Sequence, residues 1–333
     1  MLDLLIIGAG PAGIMAAYEA KKAGLDYVVI EKGLIGNTIY HYPVGLTVFS
    51  TVNELEFAEG GLDPAREKPT REELLSYYVR FVLDNELNVQ TEEKVLGVKR
   101  RKGDAEFAVT TDKGLYKTRD VLFAIGAMDR ARKLNVPGED LPHVFDHFRE
   151  TYPWVKKKAL IVGGGNSAGE AALFLAQEGA ETTLAVFRSD WENTDPKQGC
   201  IKYWVKQPLE EELKEHCLNL FFLGKVVEIR PGEIELENEN GDRVTMANDV
   251  VFVLIGSDAD LTMMKNLGVE TEEGKYGEVP VYDLESFETN VPGVYVAGHF
   301  TNQRHIKGAI DAAKELVPRL AARLAAKTQE AQS

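Results

Sequence analysis

Residues 4–13 read Leu4-Leu5-Ile6-Ile7-Gly8-Ala9-Gly10-Pro11-Ala12-Gly13, and residues 27–32 read Tyr27-Val28-Val29-Ile30-Glu31-Lys32. An unbroken apolar run of strand length opens directly into G-x-G-x-x-G, a helical stretch follows, and a second apolar run ends in an acid 23 positions after Gly8. Strand, glycine turn, helix, strand and terminal acid in this order make a dinucleotide fingerprint. Gly8 permits the tight turn, Gly10 lets a pyrophosphate reach the backbone, and Gly13 lets helix and strand pack closely. The helix presents its positive end to the phosphates, and Glu31 can accept hydrogen bonds from a ribose diol.

The pattern recurs. Ala159-Leu160-Ile161-Val162 runs into Gly163-Gly164-Gly165-Asn166-Ser167-Ala168, a helix is predicted from about Gly169 to Gln177, and Thr182 to Arg188 reads as the next strand. Setting Gly8 on Gly163 also sets Gly24 on Gly179, so this is an internal repeat of one supersecondary unit. Glu31 then falls opposite Val186, with Arg188 two residues beyond. An acid repels a ribose 2′-phosphate, whereas an arginine pairs with it in bidentate fashion. The first site is therefore predicted to take a dinucleotide with free ribose hydroxyls, and the second to take NADPH. FAD is the simplest first cofactor for electron transfer between the two. The competing reading of Arg188 is a solvated surface charge neutralised by Asp190 and Glu192.

The repeat extends beyond the loops. Val121 to Gly126 and Val250 to Gly256 are similar apolar strands that each end in Ile-Gly. Val95 to Arg100, Phe107 to Thr111 and Leu115 to Asp120 form a small β layer, repeated by Val226 to Ile229, Glu233 to Glu237 and Arg243 to Met246. The chain is expected to cross between domains near Ala127 and Ser257. The fold class is α/β, with two Rossmann-like, three-layer ββα dinucleotide-binding domains. The first spans 1–127 plus 258–333 and binds FAD; the second, 128–257, binds NADPH and is inserted in the first. Gly293 to His299 reads as a last strand, and a helix from near Arg304 through Ala322 would aim its positive end at the flavin.

The 333 residues carry a net charge of −15, which argues against nucleic acid or an anionic membrane surface as partner. No apolar run approaches membrane-spanning length, no basic leader precedes the first strand, and Cys200 and Cys217 form no disulfide framework. A cytoplasmic location is the expectation. The six histidines have no metal-ligand spacing, so no metal site is expected. The cysteines stand 17 positions apart, not in a redox-active spacing, and the commoner role of such a residue is that of a small buried hydrophobe; of the two, Cys200 is the better candidate for catalysis, because its glycine-flanked, charged surroundings point to exposure.

The two loops, the G-G-G-N-S-A form of the second, the Ile-Gly strand ends and Gly293-Val294-Tyr295-Val296-Ala297-Gly298 resemble the low-molecular-weight thioredoxin reductase family over essentially the whole chain. Ile39-Tyr40-His41-Tyr42-Pro43, Lys68-Pro69-Thr70-Arg71, Asn135 to Pro142 and above all Ile201-Lys202-Tyr203-Trp204-Val205-Lys206 resemble its bacillithiol disulfide reductase (YpdA-type) subgroup. The resemblance implies FAD, NADPH, hydride transfer to flavin, and a homodimer. It places Gly8, Gly10, Pro11, Ala12, Gly13, Glu31, Lys32, Ala124, Gly126, Gly298, His299 and Ile306 around FAD. It places Gly163, Gly165, Asn166, Ser167, Ala168, Arg188 and Lys202 around NADPH.

Three departures bear on the activity. Thioredoxin reductases carry C-x-x-C between the first crossing and the second fingerprint, but Ala127 to Lys158 has no cysteine. The subgroup has cysteine where Ala12 stands, and alanine cannot form a mixed disulfide. The family has aspartate, or the subgroup a small apolar residue, where His299 stands. The implied acceptor is a low-molecular-weight disulfide such as bacillithiol disulfide. The alternatives are a ferredoxin- or flavodoxin-NADP reductase-like transferase, which would need a basic patch such as Lys99 to Lys102, or a slow-turnover flavin/NADPH sensor.

Overall fold

A strand can be apolar at every position only if both of its faces are covered, and the first strand shows how this chain achieves that. Leu4 and Ile6 enter one core cluster while Leu5 and Ile7 enter another, on the opposite side of the sheet. Leu4, Leu5 and Ile6 are fully buried, each worth about 1.5–3 kcal/mol of apolar transfer. The computed structural model describes residues 1–101, 106–193, 201–215, 217–275, 277–302 and 304–330. The chain forms two compact units, Met1–Arg130 with Asp258–Ser333, and Ala131–Ser257.

The first unit begins with β1 (Leu2–Ile7), α1 (Pro11–Lys22) and β2 (Tyr27–Ile30), followed by α2 (Arg71–Asp84), β3 (Val89–Gln90), β4 (Val95–Arg100), β5 (Phe107–Thr111) and β6 (Leu115–Phe123). Strands β3, β2, β1 and β6 lie side by side and parallel. The Leu115–Thr118 half of β6 pairs antiparallel with β5, so one strand serves both the parallel sheet and the small β layer.

The second unit contains β7 (Val144–Phe145), β8 (Lys158–Val162), α3 (Asn166–Gln177), β9 (Glu181–Val186), α4 (Tyr203–Lys214), β10 (Leu218–Arg230), β11 (Glu233–Asn238), β12 (Arg243–Ala247) and β13 (Val250–Val253). Its sheet runs in the order β12, β11, β10, β9, β8, β13, β7. Here β10 is the shared strand: Leu218–Phe222 pairs parallel with β9, and Leu223–Arg230 pairs antiparallel with β11. The chain re-enters the first unit at Asp258 and there adds β14 (Val294–Val296), parallel to β6, and α5 (His305–Glu330).

Two elements differ from the expectations. α3 begins at Asn166 rather than Gly169, because Gly165, at φ −105° and ψ 178°, is the cap and Asn-Ser-Ala are already helical. α5 continues past Ala322 to Glu330. Among the described residues no helix is long and apolar enough to cross a membrane.

α1 packs along α5 through small side chains, among them Ala12, Ala16, Ala20, Ala309 and Ala313. This brings the end of β14 beside the first glycine loop.

Candidate functional site

The first loop is a backbone device fixed on three sides. Gly8 has φ +108°, and a Cβ there would lie 2.5 Å from the Ala124 carbonyl oxygen. Its N–H donates to the Ile30 carbonyl at 2.8 Å, while the Ala124 N–H donates to Ile7 at 2.8 Å. A Cβ on Gly13 would meet the Gly8 carbonyl at 1.8 Å, so only glycine lets α1 start this close to β1. Gly10 caps α1 with Pro11 in its first turn, where the missing N–H costs nothing. A Cβ on Gly10 would meet nothing within 4 Å: its backbone faces open space at the positive end of a helix, a place that fits a pyrophosphate.

Glu31 locks the loop from the strand beside it. It is 6% exposed, with Oε2 accepting the Ala9 N–H at 2.8 Å and Oε1 accepting the Gly33 N–H at 2.7 Å. Each carboxylate oxygen has a second lone pair, so ribose hydroxyls fit the same group. Lys32 is exposed and pairs with Asp129 at 2.6 Å. Gly126 has φ +72°. Gly298 has φ +114°, and a Cβ there would lie 3.5 Å from the Ala12 Cβ, so the end of β14 sits directly against the first loop. Ala12 itself is 3% exposed. Ile306 packs partly buried against the α1 core.

His299 follows Gly298, with its ring 6.4 Å from that of His305. Its ring reaches solvent, yet the protein crowded around it, with Arg304 and His305 nearby, takes its pKa down to about 4. His299 is neutral at pH 7 and offers one donor and one acceptor.

The second loop reproduces the first. Gly163 has φ +155°, and a Cβ there would lie 2.3 Å from the Leu254 carbonyl oxygen. The Gly163 N–H donates to Ala185 at 3.1 Å and the Leu254 N–H to Val162 at 2.8 Å, matching the Gly8 and Ala124 bonds one for one. Gly165 caps α3, and a Cβ on it would again meet open space, which fits a second phosphate-bearing ligand. Ala168 is fully buried and Ser167 exposed. Asn166 Oδ1 accepts the Lys202 N–H at 2.7 Å, tying the start of α4 to the loop. A Cβ on Gly169 would lie 2.9 Å from Val205, so α4 also packs tightly there.

Arg188 opens a short helix, Arg188–Glu192, just past β9. It is not a bare charge: Nε and Nη2 donate to Glu239 at 2.7 and 2.5 Å, Nη1 donates to Glu192 at 3.1 Å, and the guanidinium lies 3.7 Å from the centre of the Phe222 ring. Of the two acids expected to neutralise it, only Glu192 makes such a pair. Asp190 lies instead over the loop, where a Cβ on Gly164 would meet its Oδ2 at 2.3 Å.

Sequence reasoning missed Glu239, Phe222 and Glu170. Glu239 and Phe222 arrive from a hairpin and a strand distant in sequence. Glu170, on α3, occupies the place that Met15 fills on α1, and burial alone pushes its carboxyl up to about 7. Cys217 is exposed with a free thiol, while Cys200 and Lys102 lie outside the described residues. Glu212, Glu215 and Cys217 bring three ligand-type atoms within 4.8 Å of one another, two of the residues being exposed on the surface.

Twin glycine loops, each following a parallel strand of a mixed sheet, define a two-cofactor oxidoreductase. Residues 5–298 match the pyridine nucleotide-disulphide oxidoreductase family, and the chain belongs to it. It is 34% identical to the bacilliredoxin reductase Bdr of Bacillus subtilis (strain 168), over 88% of each chain. It is 29% identical to the ferredoxin-NADP reductase of Ignicoccus hospitalis, over 90% of each. The bacillithiol disulfide reductase Bdr (YpdA) from Staphylococcus aureus superposes with a TM-score of 0.89 at 31% identity, covering 97% of this chain and 98% of that one. The thioredoxin reductase of T. acidophilum, 20% identical with a TM-score of 0.76, shares the fold. The protein is a flavin oxidoreductase with FAD and NADPH as cofactors.

Proposed function

We propose that this enzyme moves electrons from NADPH to an external acceptor with no protein thiol in the path, the first glycine loop holding FAD and the second NADPH. The observation that carries the reading is that both cysteines belong to the second unit, and the first unit, with its flavin loop, contains none. When bound, FAD supplies the chemistry, accepting hydride from NADPH and delivering electrons onward. The chain supplies position and charge. Gly8, Gly10 and Gly13 bring the α1 amides to the pyrophosphate, and Glu31 takes the ribose. Lys32, Ala124, Gly126, Gly298 and Ile306 shape the rest of that site. His299 hydrogen-bonds as a neutral ring. Gly163, Gly165, Asn166, Ser167 and Ala168 form the second cradle, with Arg188 and Lys202 directed to the 2′-phosphate.

Two acceptor classes follow from the relatives. A low-molecular-weight disulfide such as bacillithiol disulfide, or a bacilliredoxin, is favoured by the 34% identical relative. A ferredoxin or flavodoxin is favoured by the thiol-free first unit and by the 29% identical relative. A homodimer in the cytoplasm completes the proposal; light scattering after gel filtration tests the dimer.

The test is NADPH consumption against bacillithiol disulfide, ferredoxin and flavodoxin, by the wild type and a Cys200→Ser, Cys217→Ser double variant. Unchanged rates in the double variant are expected. Loss of disulfide reduction alone would install a thiol relay and overturn the reading. A flavin that NADPH fails to bleach on a catalytic timescale would make the chain a sensor instead.

A further inference from the structure

The Arg188 guanidinium is held by the protein's own side chains. Its Nε–Nη2 edge, the fork that matches a phosphate or a carboxylate equally well, is filled by Glu239 at 2.7 and 2.5 Å. Nη1 is used by Glu192 at 3.1 Å, and the Phe222 ring covers one face at 3.7 Å. Three of the five N–H groups are therefore committed.

This engagement is built into the fold. Glu239 sits at the tip of the hairpin between β11 and β12, where its N–H donates to the Phe222 carbonyl at 3.2 Å. Asn238 Oδ1 accepts the N–H groups of Asn240 and Asp242, each at 2.9 Å, and Gly241 adopts φ +90°. The strand that stacks its phenyl ring on Arg188 thus also fixes the height of the acid that fills its fork.

We propose that Glu239 is a coenzyme-selectivity residue: its carboxylate occupies the position in the Arg188 fork that a ribose 2′-phosphate would take, and so weakens the preference for NADPH over NADH. The proposal rests on the reading that Arg188 faces the 2′-phosphate. An incoming 2′-phosphate, carrying about −1.5 to −2 charge like other phosphate monoesters, must displace Glu239 or share the arginine with a like charge. A bare 2′-hydroxyl meets no such penalty and can donate to the carboxylate. Glu192 adds a weaker contribution through a single, longer contact.

The test is calorimetric titration of the flavin-loaded protein with 2′,5′-ADP and with 5′-AMP, which differ only in the 2′-phosphate, for wild type, Glu239→Gln and Arg188→Ala. Glu239→Gln keeps the shape and removes the charge. It is expected to tighten 2′,5′-ADP roughly 3- to 10-fold while leaving 5′-AMP within about 2-fold, the gain shrinking in high salt because the group is near solvent. Arg188→Ala is expected to abolish the preference for 2′,5′-ADP. If Arg188→Ala acts in that way but Glu239→Gln leaves 2′,5′-ADP unchanged or weakens it, Glu239 only orients the arginine and the proposal fails while the site reading stands. If Arg188→Ala weakens both ligands equally, the site reading fails and the proposal with it.

Discussion

The two glycine loops share one backbone and differ in what their side chains do with charge. In the first, Glu31 is buried and spends one oxygen on the loop's Ala9 amide and the other on the Gly33 amide just past β2, so the charge that would recognise a ribose also holds the turn against the strand beside it. In the second, Arg188 is exposed and balanced by two carboxylates, while the turn stands on backbone bonds without it. Recognition and stability are fused at the first site and separable at the second.

The sharpest way to break the comparison is at the third position of each motif. Gly13→Ala forces a Cβ to within 1.8 Å of the Gly8 carbonyl. It should cost about 3 kcal/mol, lowering the melting temperature by roughly 6–12 °C, and abolish flavin retention. The second loop already carries Ala168 there, so Ala168→Gly should cost only about 1 kcal/mol. Thermal melts and the flavin-to-protein absorbance ratio read both. Equal losses would mean that the loops are not built alike.

Next come the charges. Glu31→Gln sets an amide against two backbone donors and should cost about 2 kcal/mol together with flavin affinity. Arg188→Ala should leave the melting temperature nearly unchanged yet raise the Michaelis constant for NADPH about 10- to 100-fold, roughly 1.5–3 kcal/mol, with little effect on NADH. A large melting shift in Arg188→Ala would erase the distinction drawn above.

The smallest effect concerns the matching helices. Glu170 in the second unit has its pKa raised to about 7 by burial, from the 4.5 of a free carboxyl, while Met15 in the first carries no charge. Because the raised value means that the folded state disfavours the ionised form, the stability tied to Glu170 is full below about pH 4.5 and is lost as pH rises through 7. Glu170→Met should therefore gain about 1–3 kcal/mol over wild type at pH 8 and little at pH 5, read by denaturant melts at both values. A pH-independent difference would count against an unpaired, buried carboxyl.

Much of this was legible in the chain because it is local. An apolar run meeting Gly8-Ala9-Gly10-Pro11-Ala12-Gly13 states a turn, a helix start and an open backbone within ten residues, and its recurrence at Gly163 states a second. The β layers were legible as alternating strands. Their attachment was not: in the first unit β6 is shared with the parallel sheet, in the second β10 is, and no periodicity distinguishes a strand that ends from one that runs on into another sheet.

What the amino-acid order determined by itself was the pair of glycine loops at helix starts, because steric limits at glycine and the start of a helix are settled by neighbours in the chain. Only tertiary structure decided the electrostatics. Arg188 finds Glu239 across 51 residues, Gly298 arrives against Ala12, and Glu170 loses its water to α3's surroundings. Charge and solvation depend on whatever packing brings within a few ångströms, and sequence separation does not measure that distance.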